Sequence, residues 1–172
     1  MAKAASQRDV YSNKAYGQVT ESAANTLTFS EISTNVNVFD KMAWIVNRME
    51  WYCPPGTLNL LVGAGDALQI ALTSSQNLSA LGLDNPGVID MFQLSYYTVG
   101  GANAKIWNMP FIRDFSTLPG GGIIIAPRPL YVAIVGTSLA TPASAEMRMS
   151  FQQKVLSADE YLEMVDFYRI VG

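Results

Sequence analysis

The sequence has no histidine, a single cysteine and few charges. Each absence removes a class of chemistry. Without histidine there is no Ser-His-Asp triad and no Cys-His pair, and no imidazole to hold a metal. Cys53 alone can form neither an intrachain disulfide nor a thiolate cage. Lys and Arg number 11 against 14 Asp and Glu, a formal net charge of −3, so there is no general drive toward nucleic acid. The basic groups of the first 25 residues are Lys3, Arg8 and Lys14, which do not make a polybasic arm. No hydrophobic run follows them, so a secretory signal is not expected. No window approaches the ~18 apolar residues of a membrane span.

Carboxylate chemistry also lacks support. Glu31, Asp40, Glu50, Asp66 and Asp90 are scattered, with no spacing that suggests a dyad, and surface or turn roles are expected for them. Gly63-Ala64-Gly65-Asp66 opens like a phosphate loop. It lacks the third glycine, the Lys-Ser/Thr pair and a following helical pattern. A hairpin turn is expected there, and another turn at Pro119-Gly120-Gly121-Gly122. The sequence therefore predicts a protein that is not an enzyme, with no catalytic, cofactor-binding or metal-ligating residue and no small-molecule substrate.

What is present is strand periodicity. Leu68, Ile70 and Leu72 share one face of residues 66–74. Met147, Met149 and Phe151 alternate with Arg148, Ser150 and Gln152. Period 2 of this kind marks a sheet with one buried face. These six apolar residues are the expected core packing. Leu27 and Phe29 are followed by Ile32, Val36 and Val38 on the other parity, and a β-bulge near Ser30 would repair the slip. Residues 42–52, 88–99 and 130–135 are apolar on both faces, as expected for strands covered by a second sheet and by a neighbouring subunit. Strands are expected near 25–38, 40–52, 66–74, 88–98, 105–115, 122–126, 129–136 and 146–156, separated by Gly, Pro, Asn and Ser turns. Residues 1–24 are expected to form an N-terminal arm or extended segment, 25–156 the sandwich, and 157–172 a C-terminal helix and tail. Ser157 and Glu160 make a capping box for that helix. The expected fold class is all-β, an eight-stranded single jelly-roll β-sandwich with a short C-terminal helix.

Residues 121–136, GGIIIAPRPLYVAIVG, pass from a short strand through a Pro-bounded turn into an apolar strand. A Ser/Thr/Ala/Pro segment follows, then the amphipathic run Met147 to Val155. This resembles the last three strands of single jelly-roll capsid proteins from small icosahedral viruses. The resemblance implies a structural capsid protein that self-assembles into an icosahedral shell, assembled in the host cytoplasm and resident in the virion. Its implied partners are copies of itself, together with other capsid proteins. Many such proteins carry a basic arm, and this chain departs from that pattern. Either a different component handles the genome, as in the small major capsid proteins of membrane-containing icosahedral phages with an internal membrane vesicle, or the shell contacts packaged genome weakly through a few Arg and Lys residues. The acidic balance leans to the first.

Low charge supports self-association independently. Charged residues make up 15% and hydrophobic residues 49% of the 172. Interface cores are depleted in charge, and a soluble domain usually has about 25% charged residues. Candidate intersubunit contacts are Arg148, Lys154, Tyr161, Leu162 and Val165. The alternative is a jelly-roll carbohydrate- or receptor-binding module, lectin-like or a trimeric head, with an exposed Trp44, Trp51 or Trp107 stacking on sugar rings.

Overall fold

The computed structural model describes residues 12–32, 42–96, 110–126 and 128–163. Nine strands among these build two antiparallel sheets: β1 (Asn13–Thr20), β2 (Thr28–Glu31), β3 (Met42–Tyr52), β4 (Ala67–Thr73), β5 (Val88–Ser95), β6 (Phe111–Asp114), β7 (Ile123–Ile125), β8 (Tyr131–Thr137) and β9 (Ser144–Val155). One helical turn, α1 (Pro55–Leu58), follows β3. The first sheet has the order β1-β9-β3-β6, with β7 also paired to β3, and the second has the order β2-β8-β4-β5. The fold is thus an all-β sandwich. Eight strands were expected, and the ninth is β1, inside the segment expected as an arm. Its inward residues are small, Ala15, Gly17 and Val19, so its alternation is faint in the sequence. A Cβ at Gly17 would lie 2.3 Å from a Val132 methyl of the facing sheet. Glycine here lets β1 approach β8 closely.

The core joins both sheets. Leu68, Ile70 and Leu72 of β4 and Met147, Met149 and Phe151 of β9 are all buried in one cluster with Trp44, Val46, Met49 and Trp51 of β3. The two-faced look of β3 has two sources: Ala43 and Ile45, on the face opposite Trp44 and Val46, are buried as well, and the strand carries a bulge. Pairing with β9 shifts register between Val46 and Arg48. This bulge at Asn47 changes the parity, so Trp44 and Val46 on one side of it and Met49 and Trp51 on the other all point inward. The same residue interrupts the opposite edge. β6 pairs with Arg48–Trp51 and β7 with Trp44–Val46, so both lie end to end along one lane of β3. Between them Phe115 N–H donates to Asn47 O at 2.8 Å. Gly122 brings the chain back to the sheet, where a Cβ would lie 2.4 Å from Val46 O.

The apolar outer face of β8 is explained within the chain. Ala71, Leu81 and Ala133 form a second cluster, joined by Leu27, Phe29, Leu78, Met91 and Val135. Leu78 and Leu81 belong to the β4–β5 connection, so the protein's own loop covers this face and no neighbouring subunit is needed there. The parity slip near Ser30 has the same origin. Register with β8 runs unbroken through Ser30, so there is no bulge. Leu27 and Phe29 join the outer cluster while Ile32 enters the core. Val36 and Val38 lie outside the described residues.

Of the carboxylates expected at the surface or in turns, Glu31 is exposed, Glu50 and Asp90 are buried instead, and Asp40 lies outside the described residues. Asp66 does serve a turn, but not a hairpin: its Oδ2 accepts from Val62 N–H (2.8 Å) and Gly63 N–H (2.6 Å) between α1 and β4. Glu21, buried, accepts from Gly136 N–H (2.7 Å) and Thr26 N–H (3.2 Å) at Oε1 and from Ala143 N–H (2.8 Å) at Oε2. Beside it Asn25 exchanges two hydrogen bonds with the Leu139 backbone. Together they fasten the β1–β2 and β8–β9 connections at one end of the sandwich.

Asp90 lies between the sheet edges, 4% exposed, with Arg113 of β6 at 3.2 Å from its Oδ1. Phe92 stacks on Phe111 across the same edges, centroids 4.4 Å apart. Burial pushes the Asp90 carboxyl up, opposed by Arg113, then by the Trp51 indole and the Met91 backbone N–H. The indole acts at close range, yet neither Trp51 Nε1 nor Asp90 Oδ2 reaches hydrogen-bond geometry. A carboxyl raised on folding binds more protons in the native state, so it stabilises below its folded pKa, and that contribution is lost as pH rises through it. Asp90→Asn should therefore raise the denaturation midpoint at neutral pH. It should also flatten the fall in stability just above the ordinary carboxylate range. Urea melts at several pH values check this, and an unchanged slope would contradict it.

Candidate functional site

Register places the outward residues of β1, β9 and β3 in three rows. Lys14, Ser150 and Arg48 form the first, Tyr16, Arg148 and Glu50 the second, and Gln18, Glu146 and Tyr52 the third. Rows two residues apart along a strand lie ~6.7 Å from each other. The third row borders an open cleft of about 510 Å³ that also includes Pro110. The first row borders a smaller one of about 270 Å³, and Glu50 and Arg148 line both.

Glu50 organises the face. It is 8% exposed although it sits on the outer side of the sheet. Arg48 Nε forms an ion pair with its Oε1 at 2.9 Å, and an Arg148 guanidinium nitrogen donates to its Oε2. A buried carboxylate held by two arginines is a strong charge-assisted pair that fixes both side chains. Glu50 pushes the Arg148 guanidinium pKa up, with a smaller contribution from Tyr16. Tyr16 is 63% and Tyr52 37% exposed.

The candidate contact residues are spread over more than this face. Arg148 lies at its centre, tied to Glu50. Lys154 donates to Glu160 at 3.1 Å instead of standing free. Residues 158–163 are helical. The capping box forms, with Ser157 N–H donating to Glu160 Oε2 (2.9 Å) and Glu160 N–H to Ser157 Oγ (3.3 Å). These contacts hold the Glu160 carboxyl below its usual range, the Ser157 backbone N–H first. Leu162 is exposed and Tyr161 half-buried, while Val165 lies outside the described residues. The residues that sequence reasoning passed over, Lys14, Tyr16, Arg48 and Tyr52, come together only through strand register.

The sugar-stacking tryptophans are not on the surface. Trp44 and Trp51 are fully buried, and Trp107 lies outside the described residues. Burial pushes the Cys53 thiol up to about 12, so it carries no thiolate at neutral pH. Among the described residues no group of three or more Cys, Asp or Glu side chains could hold a metal ion. No helix among them is long and apolar enough to cross a membrane.

No family model matches the sequence, and no curated protein matches it. A solved structure from Bacillus endospore appendages, described as a novel family of disulfide-linked pili, aligns with 91% of this chain and 97% of its own, at 15% identity and a TM-score of 0.35.

Proposed function

We propose that this protein is a single jelly-roll shell subunit, a structural protein that assembles with copies of itself into an icosahedral capsid. The observation that carries the reading is the strand order. Counting β6 and β7 as one interrupted lane, the antiparallel pairs β1·β9, β2·β8, β3·β6/β7 and β4·β5 nest one inside the next. The pairs β3·β9 and β4·β8 then close the two four-lane sheets. A long antiparallel hairpin rolled into a jelly roll, the architecture used by capsid and lectin domains, would have this order, which supports the reading. Fold alone does not choose among those roles. The low charge of the chain favours the shell over the isolated module, because interface cores are charge-poor.

Sedimentation velocity tests the reading. Across protein concentration and salt, the subunit should form species far heavier than a monomer, each copy burying well over ~1,000 Å² against its neighbours. A protein that stays monomeric at high concentration under all salt conditions contradicts it.

A further inference from the structure

The outer face of the first sheet carries more charge and aromatic surface than the fold uses. Glu50 takes up Arg48 through Nε and Arg148 through one terminal nitrogen. Arg148 also interacts with the Tyr16 side chain, while the other Arg48 nitrogens and the Lys14 ammonium in the same row have no hydrogen-bond partner among the described residues. Asp114 lies across from Arg48, but its carboxyl is held mainly by Ser116 and only last by Arg48. Two arginines pinned by one buried carboxylate present their free N–H groups at little further entropic cost. This is the geometry that suits a planar or tetrahedral anion.

One and two rows away the chemistry changes. Tyr16 and Tyr52 stand exposed at the larger cleft, and the side chains of Gln18 and Glu146 are exposed without partners among the described residues. An aromatic ring beside free hydrogen-bonding groups suits a ligand that is apolar on one face and hydroxylated at its edge. We propose that this face binds a short acidic glycan, with its carboxylate or sulfate on Arg48, Arg148 and Lys14. A pyranose ring rests against Tyr16 and Tyr52, and its hydroxyls meet Gln18 and Glu146. A nucleic acid fits less well. Its backbone needs a track of cations, whereas here one cationic cluster is followed by Glu146, on a chain of net charge −3.

The probes are 3′-sialyllactose, a sulfated disaccharide, neutral lactose and a short oligothymidylate, each titrated into the full-length protein and followed by NMR or calorimetry. At least one acidic sugar should bind saturably. Sialyllactose alone identifies the carboxylate as the anion recognised, and the sulfated sugar alone identifies the sulfate. Lactose should bind about tenfold more weakly, the scale of losing charge-assisted hydrogen bonds. Lys14→Ala and Tyr16→Ala, both exposed, should each weaken binding severalfold without moving the melting temperature. The proposal is overturned if neither acidic sugar saturates, if lactose binds as well, if the oligonucleotide binds more tightly at the same residues, or if both variants bind like the parent. Binding can be measured on subunits or on particles, so failure here would leave the shell reading standing.

Discussion

Phe151→Ala should cost about 3–5 kcal/mol, the usual loss for a buried aromatic. Phe151 is 6% exposed, at the middle of β9, and its ring lies 5.2 Å from that of Trp44. It pairs with Asn13 of β1 on one side and Val46 of β3 on the other. Removing it opens a cavity where three strands of the first sheet meet the core. The loss takes up a large part of the ~5–15 kcal/mol stability of a typical domain, so the yield of soluble folded subunit should fall sharply and the remaining protein should unfold at a lower midpoint. Arg148→Met offers a contrast on the same strand. It leaves the core intact and disturbs only the outer charge network. Chemical denaturation of the purified proteins measures both. A Phe151→Ala protein with the parent's midpoint would contradict the packing described.

Glu21→Ala should be nearly as damaging. Three backbone N–H groups, from Thr26, Gly136 and Ala143, donate to this one buried carboxylate. Each donor left unsatisfied in the interior costs ~1–3 kcal/mol, so the total should be at least about 3 kcal/mol. Glu21→Gln keeps one acceptor oxygen and should lose roughly half as much. The ordering Ala below Gln below parent in denaturation midpoint is the signature of an anchor built on acceptor oxygens. Equal losses for both variants would show that side-chain volume, and not hydrogen bonding, matters there.

The parts of the fold that were legible are those in which a single strand carries its own pattern. β4 and β9 alternate cleanly because one face is core and the other is polar. The capping box needs only Ser157 and Glu160 three residues apart. β1 was hidden because its inward positions are Ala15, Gly17 and Val19, small residues that let Val132 come close, and small residues give little hydrophobic contrast. β3 looked apolar on both faces partly because the bulge at Asn47 shifts its inward set from even to odd numbers, and partly because Ala43 and Ile45 on its other face are buried too. The slip from Val46 to Met49 was the available signal. Glu21, Glu50 and Asp90 could not be recognised as buried, since besides near partners at Thr26 and Arg48 the groups that close over them are distant: Gly136 and Ala143, 115 and 122 residues from Glu21, and Arg148, 98 residues from Glu50, and a strand of another sheet for Asp90. The candidate site was hidden for the same reason: its three rows exist only once β1, β9 and β3 are in register. The resemblance to capsid proteins was read from the last three strands, whereas the strand order now offered in its support involves every lane of both sheets.

Electron microscopy of the purified full-length protein tests the central claim most directly. The account predicts closed, round shells of uniform diameter, or the pentamer- and hexamer-sized rings from which such shells are built. A field of monomers, dimers or trimers at high concentration, with no larger closed assembly under any salt condition, would contradict it.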